Sequence, residues 1–157
     1  DFRAAERSFQ LLCQVAGRAG RGSTPGRAVI QTYDPDNYAV KAAASQDYAS
    51  LYETEIRYRR QLGNPPFNQL VRMVYANPSL DVCKRGVYGM ARTLRSKIVT
   101  EGRNDVNVIG PAPAYRERLR GNYRWHIVLQ GLNLHAILQD VPIADGWAVD
   151  VDPVTVM

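Results

Sequence analysis

The sequence predicts a mixed α/β (α+β) chain in two parts: a mainly helical stretch over residues 1–64 and a ferredoxin-like β-α-β-β-α-β unit over 65–157. Three observations carry this. Apolar residues recur with the helical period in 3–20 and 80–101; they alternate with period two in 69–76, 123–130 and 147–151; and Gly63 with Pro65-Pro66 stops the chain between the two parts. Hydrophobic residues make up 45% and charged residues 22% of the 157, which is a globular composition and not a disordered one. There is no run of about 18 apolar residues, so no membrane span is expected. The chain opens on Asp1-Phe2-Arg3 with no initiator Met and no charged-then-apolar leader, and so reads as a piece of a longer protein.

In the first part, residues 3–20 read as a helix that buries Ala5, Phe9, Leu12, Cys13 and Ala16 and ends at Gly20 and Gly22. Residues 26–33 (GRAVIQTY) read as a short, mostly buried strand, and Asp34-Pro35-Asp36 as a turn. Helices follow over about 37–45 and 47–62, the later one with Tyr48, Leu51, Tyr52 and Ile56 on one side and Arg57, Arg59 and Arg60 on a solvated face.

The second part opens with a strand over 69–76, with Val71, Met73 and Tyr75 on one face. Ser79 is placed to cap a helix striped by Cys83, Val87, Met90, Ala91, Leu94 and Ile98 and closed by Gly102. Strands over 106–115 and 123–130 flank the turn candidate Gly121-Asn122. A short helix near 133–140 and a strand carrying Trp147, Val149 and Val151 complete the unit. Asp150 and Asp152 fall on one strand face and lack the further ligands a metal needs, so they read as solvent-facing carboxylates. Cys13 and Cys83 read as small core residues, and His126 and His135 as surface histidines; no metal set is expected. Two reduced thiols fit a cytoplasmic setting.

Net charge is +5 with a pI near 9.4, a weak pointer to an anionic partner. Position says more. The stretch 115–126 holds four Arg against one Glu, equal to the whole basic excess of residues 65–157. If Gly121-Asn122 is a two-residue loop, Arg118 lies opposite Trp125 and the Arg row joins the apolar face. A three-residue loop sets Arg120 opposite Arg124 and puts the row beside His126 on the exposed face, because a one-residue slip flips every side chain. The longer loop is favoured, since guanidiniums on a core face are costly. Arg116, Arg118, Arg120 and Arg124 then form a patch for nucleic-acid phosphate, with Tyr123 stacking on a base. The plainer alternative is a solvated Arg-rich hairpin.

Gln14-Val15-Ala16-Gly17-Arg18-Ala19-Gly20-Arg21 is the stretch richest in chemistry. At helical spacing Gln14, Arg18 and Arg21 point away from the Phe9/Leu12/Cys13/Ala16 face, and the small residues between them leave room for a close approach. Two guanidiniums presented together suit an anion with several oxygens, such as a phosphoryl group in transfer. An amphipathic surface helix with ordinary salt bridges has the same geometry.

QVAGRAGR resembles the QxxGRxxR element of superfamily 2 helicases, the last motif of their second RecA-like lobe. The similarity continues through RRQLGNPPF (Arg59 to Phe67), GPAPA (Gly110 to Ala114), RLRGNYRW (Arg118 to Trp125) and DVDP (Asp150 to Pro153), in the order found in the PriA family of primosomal replication-restart helicases, also called primosomal protein N′. By this resemblance residues 1–64 are the end of the second RecA-like lobe with linking helices, and 65–157 a C-terminal DNA- and partner-binding domain. Arg18 and Arg21 resemble the arginine fingers that reach a γ-phosphate held by the other lobe, and Gln14 and Gly17 the nucleotide-contacting positions. The whole protein so implied is an ATP- and Mg2+-dependent 3′-to-5′ DNA helicase, an ATP hydrolase that recognises stalled or abandoned forks and starts primosome assembly.

The same resemblance implies cytoplasmic, nucleoid-associated work on forked DNA and single-strand/double-strand junctions. The single-stranded DNA-binding protein and the primosome and helicase-loading proteins are its implied partners, with no membrane involved. Gln139 stands where family members line a partner-tail pocket, after a loop (Gly131-Leu132-Asn133) one residue longer here. The sequence has no GxxxxGK[ST] loop, no Asp-Glu-x-His magnesium motif and none of the family's zinc-binding cysteines, so this fragment is expected to be inactive alone. The alternative is a non-catalytic DNA-binding and docking module whose helicase motif is a relic.

Overall fold

A computed structural model of the chain describes residues 1–19 and 26–155. The chain divides into two compact units, Asp1–Leu62 and Gly63–Met157.

The first unit holds helices α1 (Ala4–Ala16), α2 (Tyr38–Ser45) and α3 (Tyr48–Leu62). Its small core is Phe9 of α1, Ala39, Ala42 and Ala43 of α2 and Leu51 of α3, with Ala5, Leu12, Cys13 and Tyr38 packed against it. The alanines keep α2 slim enough for α1 to pack closely. Asn37 caps α2 by accepting from the Ala39 N–H at 3.0 Å, and Asp47 accepts from the Ser50 N–H at the start of α3. A polar chain ties the three helices: Tyr38 Oη donates to Glu55 at 2.7 Å, Arg59 Nε donates to Glu55 at 2.9 Å, and Arg59 Nη2 donates to Glu6 at 3.0 Å. Burial and the Glu55 carboxylate push the Tyr38 phenol well above its usual range.

Of the side of α3 that carries Tyr48, Leu51, Tyr52 and Ile56, only Leu51 is buried, whereas Tyr48 and Tyr52 are exposed. Two expectations change here. Arg59 is not on a solvated face; its side chain is only 14% exposed, between two carboxylates. Residues 26–33 form no strand, since a strand needs a neighbour for its N–H and C=O groups and none lies alongside among the described residues.

The second unit runs β1 (Gln69–Asn77), α4 (Leu80–Thr100), β2 (Asn107–Leu119), β3 (Asn122–Gly131), α5 (Leu134–Leu138) and β4 (Trp147–Val151). The sheet order is β2-β3-β1-β4 with every neighbour antiparallel, so β1 and β2 run parallel with β3 between them. This is the β-α-β-β-α-β order read from the sequence. One face meets both helices: Val71, Met73, Ile127 and Leu129 pack with Val87, Ala91 and Leu94 of α4 and Leu134 and Ile137 of α5. Each such side chain contributes about 1.5–3 kcal/mol by leaving water. Ser79 caps α4 through the Val82 N–H, and Gly102, at φ +64°, follows its C-terminus. Gly131 admits the lead-in to β2, because a Cβ there would stand 2.7 Å from the Asp105 carbonyl oxygen. Arg103 clamps the same place with two 2.8 Å bonds to the Asp105 carboxylate and one of 2.6 Å to the Leu132 carbonyl. That pairing holds the Asp105 carboxyl down to about 2.

β2 is an edge strand, where Pro111 and Pro113 are tolerated without donors. Its register on β3 slips twice, once around Gly110-Pro111 and again between Pro113 and Arg118. Asp152 lies past the end of β4 at φ +49°, where its N–H bonds the Leu70 carbonyl and its carboxylate accepts from the Leu70 N–H. Asp150 and Asp152 are both exposed, as the sequence reading expected, although Asp152 itself lies past the strand. Gln139 is the exposed C-cap of α5, just past the helix.

Candidate functional site

Two places carry the residues singled out by the sequence, one in each unit. The first is the end of α1. The helix stops at Ala16, short of Gly20, and the Arg18 and Ala19 N–H groups bond back three residues to Val15 and Ala16. Gln14, Gly17 and Arg18 are all exposed, opposite the buried Phe9 face. A Cβ on Gly17 would lie 3.2 Å from the Cys13 carbonyl oxygen, so the turn is tight. Arg18 makes no ion pair among the described residues. The structure thus presents a guanidinium and an amide to the outside. Arg21, with Gly20 and Gly22, lies outside the described residues.

The second place is the β2–β3 hairpin. Leu119 pairs with Asn122 and Arg118 with Tyr123, so the loop is Arg120-Gly121. Both loop residues have positive φ, +50° and +83°, as a type I′ turn requires. Neither loop weighed from the sequence forms, and the favoured three-residue loop is overturned. Because directly paired residues share a face, Arg118 belongs to the face of Tyr123 and Trp125, not to that of His126. The cost expected for a guanidinium there does not arise, since the hairpin end reaches past the core and Arg118 stays exposed. Its guanidinium lies over the Tyr123 ring at 5.3 Å. Beside it, Lys84 Nζ of α4 lies 5.2 Å above the Trp125 ring, and Tyr88 sits 6.2 Å from that ring. Arg116 and Arg120 are exposed near the tip.

Arg124 parts company with them. It shares the opposite face with His126, two residues along β3, and with Arg72, which stands two residues from the β1 partner of His126. Burial, then Arg72 and Arg124, lower the pKa of His126, which is half-buried and not the surface residue expected. The single basic patch read from the sequence is therefore two sets of cations, one on each side of the sheet. Lys84, Tyr88 and Arg72 were missed; the aromatic-basic spacing of Lys84 and Tyr88 on one helix face was there to be read, whereas Arg72 needed the register.

A family profile described as "Primosomal protein N C-terminal domain" matches residues 60–154. The chain belongs to this family. Several relatives similar to this chain carry the name replication restart protein PriA. The protein of Bacillus subtilis (strain 168) is 33% identical over 144 residues, 90% of this chain and 17% of the relative. That of Synechocystis sp. is 32% identical over 163 residues, 99% of this chain and 19% of the relative. In Treponema pallidum the figures are 35% over 166 residues, 100% and 25%. The chain thus spans a quarter or less of the length of these relatives.

Proposed function

We propose that this chain is the C-terminal part of an ATP-dependent 3′-to-5′ DNA helicase that acts at stalled or abandoned replication forks and begins primosome assembly for restart. The observation that carries the reading is the helix leading into QVAGRAGR: Phe9, Leu12 and Cys13 pack in the first unit, and Gln14 and Arg18 face outward with no charge partner among the described residues. In that role Arg18 and Arg21 stabilise charge on the transferring phosphoryl group, while Gln14 and Gly17 meet the nucleotide. ATP and Mg2+ would be held by the phosphate loop and acidic motif of the rest of the protein, since these residues offer donors to a phosphate but no lysine loop or magnesium ligands. Zinc belongs, in the family, to another segment.

The second unit would supply contact with forked DNA through Arg116, Arg118, Arg120, Tyr123 and Arg124, and docking for the single-stranded DNA-binding protein and helicase-loading proteins. The basic-aromatic array around Arg118, Tyr123, Lys84 and Trp125 supports DNA contact. Cytoplasmic, nucleoid-associated work follows from such a substrate. The test is Arg18→Ala and Arg21→Ala in the whole protein: kcat for DNA-stimulated ATP hydrolysis falls by a factor of roughly 10³–10⁵ while nucleotide binding largely survives. Unchanged kcat in both variants defeats the finger role.

A further inference from the structure

The sheet face turned away from α4 and α5 carries an unusual set of neighbours. Along β3, Arg124 and His126 share this face, and across the ladder Val74 pairs with His126 and Ala76 with Arg124. Arg72, two residues before Val74, completes a diagonal row of three nitrogen-bearing side chains on two adjacent strands. All three are half-buried. Arg72 Nε and His126 Nδ1 are buried and make no hydrogen bond. A buried polar group left without a partner is destabilising and gains from any ligand that supplies the missing bond. Asp150 of β4 stands opposite Arg72 in the ladder, yet the two form no ion pair among the described residues. On β2 the residue facing His126 is Ala112, which is uncharged. Two guanidiniums and an imidazole are therefore gathered with only the unbonded Asp150 carboxylate to offset them among the described residues.

We propose that this face holds the phosphate backbone of a nucleic-acid strand across Arg72, His126 and Arg124, on the side of the sheet opposite the Arg118–Tyr123 set. A polyanion fits better than a lone carboxylate. Arg72 and the β1 partner of Arg124 are four residues apart, roughly 13 Å at strand rise, so the three side chains are rooted along a length that suits successive phosphates. A phosphodiester run offers oxygens at both ends and acceptors between them for the imidazole and the Arg72 Nε–H. Mutual repulsion then becomes shared attraction: burial and Arg124 lower the pKa of Arg72 against the opposing pull of Asp150, and a bound anion offsets the repulsion from Arg124. The inference rests on the DNA-contact reading for its class of ligand but not for its residues. With cations on both faces, the hairpin end is suited to lie between two arms of a fork.

The test measures binding of a labelled single strand and a labelled fork to this chain over a salt series. Arg72→Gln, which leaves the hairpin tip intact, should weaken binding several-fold and flatten the slope of log K against log salt by about 0.7–0.9; adding Arg124→Gln should roughly double that change. A hairpin variant, Arg118→Gln with Arg120→Gln, is measured beside them. If Arg72→Gln keeps the original affinity and slope, the sheet-face site is refuted while the hairpin reading stands. If only the hairpin variant is unaffected, the reverse holds. Failure of the unmodified chain to bind either DNA removes both. As a check independent of folding, the Arg72 Nε–Hε and His126 ring resonances of the unmodified chain should move on adding oligonucleotide, with His126 taking up its proton at higher pH. No movement at saturating DNA, or movement with an acidic peptide alone, overturns the proposal.

Discussion

Helix α4 carries two glycines a single turn apart, Gly86 and Gly89, and the structure assigns opposite consequences to filling them. A Cβ on Gly86 would stand 2.5 Å from Tyr75 Cε1 and 2.9 Å from Cδ1. The ring has nowhere to go, because its other edge lies against Gly146, where a Cβ would be 2.9 Å from Tyr75 Cε2, and it stacks on Trp147 at 5.0 Å. At Gly89 a Cβ meets nothing within 4 Å. Alanine gains about 1 kcal/mol of helix propensity over glycine at either position. Overpacking a confined site costs about 1–3 kcal/mol. Gly89→Ala should therefore raise stability by about 1 kcal/mol and Gly86→Ala lower it by up to about 2 kcal/mol.

For a unit of this size each kcal/mol moves Tm by about 4–8 °C. Both tryptophans, Trp125 and Trp147, lie in the second unit, so their fluorescence reports its unfolding alone. Equal Tm for the two variants refutes the idea that Tyr75 is wedged between glycines. Tyr75→Leu combined with Gly86→Ala should be less damaging than the sum of its parts.

Acidification should weaken the second unit in two stages. His126 titrates below its usual range in the fold, so the unfolded chain takes up that proton first, and stability present above about pH 6.5 is lost as pH falls through the lower folded value; His126→Gln should flatten the dependence of Tm on pH in that window. Asp105, held to about 2 by Arg103, contributes above its ordinary 3.8 and loses that contribution as pH falls towards 2; Asp105→Asn should remove this later stage. In the first unit, Arg59→Leu strands the Glu55 and Glu6 carboxylates and should cost about 2 kcal/mol, read as roughly thirty-fold faster amide exchange in α2 and α3. Exchange unaltered there refutes a structural role for Arg59.

Local pattern determined a good deal of this protein. The helical stripe from Cys83 to Ile98, the Ser79 cap, the period-two runs and the break at Gly63 each depend on residues close in sequence, and the β-α-β-β-α-β order follows from them. The Glu55–Arg59 spacing was likewise legible, but the demand for its charge pair came from Glu6, fifty-three residues away. The outward placement of Gln14 and Arg18 needed only the helical period, and the α-helix ended at Ala16, a turn earlier than that period suggested.

Tertiary structure decided whatever depends on a neighbour. GRAVIQTY has a strand's composition and, among the described residues, no strand's partner. The face of every hairpin residue hung on register, which the Arg120-Gly121 turn and the two slips of edge strand β2 fixed against the sequence expectation. Side-chain period in a strand is two, so one such displacement moved Arg118 to the Tyr123 side and left Arg124 with His126 and Arg72. Sequence alone told which residues were basic; only the pairing of strands told which of them share a surface.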